Sequence, residues 1–151
     1  PIPRDIRIAK TSEEAIQRAD IICTATTSMS PVFDDTKLKP GVHISAIGSY
    51  TPEMQEIPSE TVRRARIVVD SLSATLAETG DLVIPIRSGS IKTEDINTEL
   101  GEILLGRKPG RKSADEITLF KSVGIAVQDA MAAQVALENA QKLGLGQTIA
   151  W

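Results

Sequence analysis

Small and hydroxyl-bearing residues follow apolar runs at three places in the chain. Thr24 and Thr26 follow Ile21-Ile22, Gly48-Ser49-Tyr50 follows Val42–Ile47, and Ser122-Val123-Gly124 closes a run through Leu119 and Phe120. A short, continuous, β-branched run reads as a buried strand. Small residues at its end let a ligand approach the backbone, while hydroxyls offer single hydrogen bonds. Chemistry of this kind is positional. The change is sharpest in GVHISAIGSYTPEMQEI (residues 41–57), where the run stops at a lone tyrosine and Thr51-Pro52.

Other reactive groups carry less. His43 is the only histidine and lies between Val42 and Ile44, so it reads as a structural residue; a metal site needs more nitrogen or sulfur donors. Cys23 sits inside a strand with nothing adjacent in sequence to lower its pKa, and reads as a small hydrophobe. No exposed serine nucleophile elbow is present. Asp34, Asp35, Glu53, Glu56, Glu78 and Asp81 could serve as acids or bases, but no spacing favours any pair, and each is expected on a solvated surface. Arg107, Lys108, Arg111 and Lys112 bracket Pro109-Gly110 and are expected in a solvated turn, with a phosphate grip as the alternative. Neither GxGxxG nor a phosphate-binding P-loop occurs.

The elements that must position these residues follow from composition and period. The 151 residues suffice for one core, with 41% hydrophobic residues and 3% aromatics, so Ile, Val, Leu and Ala must build it. A net charge of -3 gives no footprint for nucleic acid or an anionic membrane. No apolar run reaches the roughly 18 residues of a spanning helix, and the cytoplasm is the expected compartment. Strands are predicted at Asp5–Lys10, Asp20–Thr26, Val42–Ile47, Arg66–Asp70 and Glu116–Phe120. Helices are predicted after the Thr11/Glu14 capping box, after Thr51-Pro52, after Ser59 and after Ser71. Two more cover Ile96–Leu104, ended by Gly106, and Ile125–Leu143; Ile84–Ser90 reads as irregular. Alternation of this kind predicts a doubly wound α/β sheet, with ligands beyond the carboxyl ends of its strands.

The runs ADIICTATT, LKPGVHISAIGSYTPEMQEI, ARIVVDS, ELGEILLGRKPGR and EITLFKSVGIAVQDA resemble, in order and over nearly the whole chain, the ornithine cyclodeaminase/μ-crystallin family. That resemblance implies most of a Rossmann-like NAD(P)-binding domain at about 1–124, with a mainly parallel sheet lacking its first βαβ unit. The helix at about 125–143 is expected to pack toward an N-terminal substrate and dimerisation domain, giving a homodimer. The segment alone is expected to be inactive and poorly stable. The implied cofactor is NAD or NADP, contacted by Thr26, by the Ile44-Ser45-Ala46-Ile47 backbone and by Ser122. Tyr50 and Val123 would face a small amino or imino acid, Gly124 would let the final helix pack closely, and no metal is implied.

The resemblance departs from the cyclodeaminases at two positions. Tyr50 stands where they carry an aspartate that engages the substrate amine, and Met54 where they carry a lysine near the cofactor. A tyrosine stays neutral near pH 7 and can donate one hydrogen bond, stack, or simply pack at the pocket rim. The implied activity is therefore hydride transfer at the Cα of an amino or imino acid: a ketimine or Δ1-pyrroline-2-carboxylate reductase, or an amino-acid dehydrogenase. A true ornithine cyclodeaminase and a non-enzymatic, μ-crystallin-like binding protein are the alternatives.

Overall fold

A computed structural model describes residues 5–149. Four apolar tetrapeptides form its sheet: β1 (Ile21–Thr24), β2 (His43–Ala46), β3 (Arg66–Val69) and β4 (Thr118–Lys121). All pairings are parallel and the order across the sheet is β1-β2-β4-β3. The register aligns Ile22, Ile44, Leu119 and Ile67 in one row, and Thr24, Ala46, Lys121 and Val69 two residues further on. Side chains alternate across a strand, so both rows share one face.

That face carries the core. Ile44, Val69 and Leu119 are fully buried together with Val42, Ile57, Val62 and Leu82. Each such aliphatic side chain contributes roughly 1.5–3 kcal/mol by leaving water. Three of the helices place a buried side chain in this cluster: α1 (Ser12–Ile16) through Ile16, α2 (Ser59–Arg64) through Val62 and α4 (Gly80–Arg87) through Leu82. Next in the chain to α4 is α3 (Leu72–Glu78), followed later by α5 (Leu100–Leu104) and the long α6 (Ala126–Leu143). The architecture is the predicted Rossmann-like, parallel α/β fold.

Local signals succeed where the partner is nearby. Thr11 Oγ1 accepts from the Glu14 N–H at 3.1 Å and Ser71 Oγ from that of Ala74 at 3.5 Å, capping α1 and α3. Other expectations are corrected. Asp5–Lys10 forms no strand; nothing among the described residues pairs with it, and Ile6 and Ile8 are exposed. Thr51-Pro52 opens a turn rather than a helix. Pro58, not Ser59, holds the N-cap position of α2, and the Ser59 hydroxyl accepts from Gln55 Nε2 instead. Ile84–Arg87 is helical despite Pro85, because Thr79 caps the start of α4 and Leu82 and Pro85 are buried.

The opposite face is thinly covered. Ile21 and Cys23 are exposed there, which corrects the buried reading of Cys23, and His43 and Ser45 are half-buried. An apolar cavity of about 420 Å³ lies along this face, lined by His43, Val68, Ile103, Arg111 and Phe120 among others. No helix among the described residues is long and apolar enough to cross a membrane.

Candidate functional site

Parallel strands all point their carboxyl ends the same way, so the three segments singled out by residue type meet at one edge. The segment after β1 carries Thr26, exposed, with its hydroxyl accepting from the Ser28 N–H at 3.1 Å. After β2 come Ile47, 43% exposed, then Gly48, Ser49 and Tyr50. After β4 come Ser122, Val123 and Gly124. Ile44 and Ala46 point into the core, and Ser45 projects to the other face, where its hydroxyl lies 3.3 Å from His43 Nε2. Only the Ile47–Gly48 end of that run reaches the edge. Tyr50 is 54% exposed, so it is not packed into a rim among the described residues.

The segments are tied together by charges that local sequence placed on the surface. Glu56 is fully buried. Its carboxylate accepts from Thr24 Oγ1 at 2.8 Å, the Thr26 N–H at 2.5 Å and the Gly48 N–H at 2.8 Å. Burial by itself would raise this pKa, but the hydrogen bonds from Thr26, Thr24 and Gly48 outweigh it and hold the group below its ordinary value. Gly48 has no room for a side chain: a Cβ there would strike the Thr26 backbone and the Glu56 carboxylate.

Beneath Glu56 lies a second buried acid. Asp81 Oδ1 accepts from the Glu56 and Ile57 N–H groups at 2.7 and 2.9 Å. Its Oδ2 has no hydrogen-bond partner among the described residues and faces Lys121 Nζ at 3.6 Å, both side chains being fully buried. Lys121 Nζ also donates to the Ala46 carbonyl at 3.2 Å. Burial pushes Asp81 up and Lys121 down, each toward its neutral form, with their mutual attraction opposing the shift.

Asp70, at the end of β3, organises the turn after β4. Its Oδ2 accepts from Ser122 Oγ at 2.7 Å and from the Val123 and Gly124 N–H groups at 3.0 and 2.8 Å; Oδ1 accepts from the Ser71 N–H at 2.8 Å. The Ser122 proton is thereby engaged, so toward a ligand this hydroxyl can only accept. Gly124 serves by its backbone, at φ 87°, and no atom of the described residues lies within 4 Å of where its Cβ would be.

Sequence reading placed Glu56 and Asp81 on the solvated surface and gave no role to Asp70 or Lys121, although a lysine closing the apolar run TLFK was a visible signal for the last. The remaining candidates are structural. His43 Nδ1 lies 2.8 Å from Thr118 Oγ1, and burial, then the nearby Arg111 charge, lowers its pKa. Arg111 bonds the Gly41 carbonyl at 2.8 Å and Thr118 Oγ1 at 2.9 Å, so it is neither a free turn cation nor a phosphate grip. Asp35 accepts from Thr61 Oγ1 at 2.6 Å and Arg64 Nε at 2.9 Å. Among the described residues the one cation at the three strand ends, Lys121, is buried and paired.

The profile of the ornithine cyclodeaminase/mu-crystallin family matches residues 2–144. A Δ1-pyrroline-2-carboxylate reductase of Bacillus cereus is 50% identical over 139 residues, covering 91% of this chain and 42% of that protein. The structure of Thermococcus litoralis Δ1-pyrroline-2-carboxylate reductase with NADH and L-proline matches with a TM-score of 0.86 at 41% identity, over 93% of this chain and 44% of that one. An archaeal alanine dehydrogenase dimer with bound NAD gives 0.81 at 37% identity, over 94% and 44%. The chain thus spans less than half the length of these relatives. With a family profile covering almost all of it, the chain belongs to the ornithine cyclodeaminase/mu-crystallin family.

Proposed function

We propose that these strand ends form the nicotinamide end of a dinucleotide site in an NAD- or NADP-dependent oxidoreductase acting at the Cα of an amino or imino acid. The observation that carries this reading is the convergence of Thr26, Ile47–Gly48 and Ser122 on one edge, held by Glu56 and Asp70 and, among the described residues, free of unpaired cations. Bound there, the cofactor supplies the hydride. The chain's own residues position: Gly48 keeps the two loops in contact, and Ser122 offers an acceptor. Val123 is held through its N–H by Asp70, and in this reading its side chain is the one offered to a small substrate.

Within this reading the reductase of a cyclic ketimine such as Δ1-pyrroline-2-carboxylate ranks first, supported by the 50% identity to a reductase of that name. Tyr50 in place of an aspartate argues against ornithine deamination, since a neutral phenol does not pair with a substrate ammonium as a carboxylate does. The apolar side of α6, with Val127, Met131 and Val135 all more than half exposed, is read as the contact to a substrate and dimerisation domain of a cytoplasmic homodimer.

The test is turnover by the full-length protein. NADH or NADPH consumption with Δ1-pyrroline-2-carboxylate or Δ1-piperideine-2-carboxylate is the expected result. Ammonia release from ornithine would support the cyclodeaminase instead. Saturable cofactor binding without turnover of any of these would support a ligand-binding protein, and absence of any NAD(P)H binding would overturn the whole reading.

A further inference from the structure

Glu56 stands apart from the other buried charges. Its carboxylate bonds nothing in its own segment: the three donors lie 32, 30 and 8 residues away, on the ends of β1 and β2. Its own backbone is fixed on both sides, the N–H to Asp81 Oδ1 at 2.7 Å and the carbonyl to the Val32 N–H at 2.9 Å. A fully immobilised acceptor therefore joins two strand ends whose other direct link among the described hydrogen bonds is the backbone one from the Ile47 N–H to the Thr24 carbonyl at 2.9 Å.

We propose that Glu56 is a positioning residue that fixes how the Thr24–Thr26 and Ile47–Gly48 strand ends lie against each other, and that this arrangement is read by the nicotinamide half of the cofactor and not by its ADP-ribose half. The proposal rests on the dinucleotide reading above. The chemistry is one of sign. All three partners donate and a carboxylate only accepts, so every bond is satisfied at once. Glutamine of the same size presents an NH₂ to at least one of those N–H or O–H donors. One contact becomes donor against donor, and the loops must part. Thr26 and Gly48 move with them because both bond Glu56 through the backbone.

A group that merely stabilised the fold would weaken every ligand alike, so the test separates the two halves of the cofactor. Glu56→Gln and Thr24→Val are made in the full-length protein, and dissociation constants for NADH and for ADP-ribose are measured by calorimetry below each variant's melting temperature. Thr24→Val removes one of the three donors at nearly constant volume and keeps the test alive if Glu56→Gln does not fold. The expected result is an NADH affinity lower by about tenfold in Glu56→Gln and about threefold in Thr24→Val, with ADP-ribose changed less than about twofold. Parallel loss of both ligands, or unchanged NADH affinity in folded variants, overturns the proposal. Wild-type protein that binds ADP-ribose but not NADH would instead sink the nicotinamide reading, and this proposal with it.

Discussion

The carboxyl edge of the sheet and helix α6 are joined at Gly124, yet they are built on opposite terms. At the edge, Glu56, Asp81 and Lys121 are fully buried, and Asp70 nearly so, tying together loops far apart in sequence. Along its 18 residues α6 buries none, and Val127, Met131 and Val135 show an apolar stripe at i, i+4 spacing to solvent. A charge costs far more to bury than an exposed valine costs to leave out. The edge therefore has to complete its own wiring within this chain, whereas α6 can wait for another surface. Geometry that must be held tightly is local to the domain, and the helix keeps its apolar stripe open.

Substitutions can break or sharpen that contrast, the largest effect coming from the buried pair. Lys121→Met in the full-length protein leaves the Asp81 carboxylate without its counter-charge and should cost about 3–5 kcal/mol, read from urea unfolding. Adding Asp81→Asn should recover part of that loss; a purely additive double variant would show the two groups to be uncoupled. Gly48→Ala, which drives a methyl group into the Thr26 backbone, should cost about 3 kcal/mol. It should also weaken NADH binding.

Titration gives a smaller signature. Glu56 has a folded pKa below its ordinary 4.5, so its stabilisation is present above that value and disappears as pH falls through the lowered folded value. Asp81, raised by burial, runs the other way, its contribution being present at low pH and lost as pH rises. The stability gap between wild type and Glu56→Gln should therefore be about 2 kcal/mol at neutral pH and close below 4.5. A gap independent of pH would mean the carboxylate charge is irrelevant. Smallest is Val135→Ser on α6. If another domain covers the helix, the loss should be about 1 kcal/mol, while a change within about 0.5 kcal/mol would leave the stripe in water.

What was legible in the sequence was whatever depends on near neighbours. The apolar runs IICT, HISA, RIVV and TLFK gave away the strands, and Thr11 and Ser71 the helix starts, because period and cap lie within a few residues. The meeting of the three strand ends was legible too, since parallel strands bring their ends together once they are recognised. Glu56 and Asp81 were not. Read locally they are ordinary acids of a polar loop, and their burial is decided by distant partners, Thr24 lying 32 residues from Glu56 and the Glu56 N–H 25 residues from Asp81. Pro85 misled for a related reason: a proline reads as a helix breaker until the capped start and buried face of α4 are known.

The strand order also has a consequence for how the chain comes into being. The strand β4 is made last yet lies between β2 and β3, and the pairing of His43 with Thr118 closes a span of 75 residues. During synthesis β3 therefore emerges before its strand partner: among the described strands only β1 and β2 can pair until Thr118–Lys121 leaves the ribosome, and until then β3 has only the bridge from Val69 to Glu99. Such long closures are slow, and the waiting strands are exposed to other chains. A stop codon just before Thr118 would not trim an edge from this domain; it would take out the keel on which both halves of the sheet are laid.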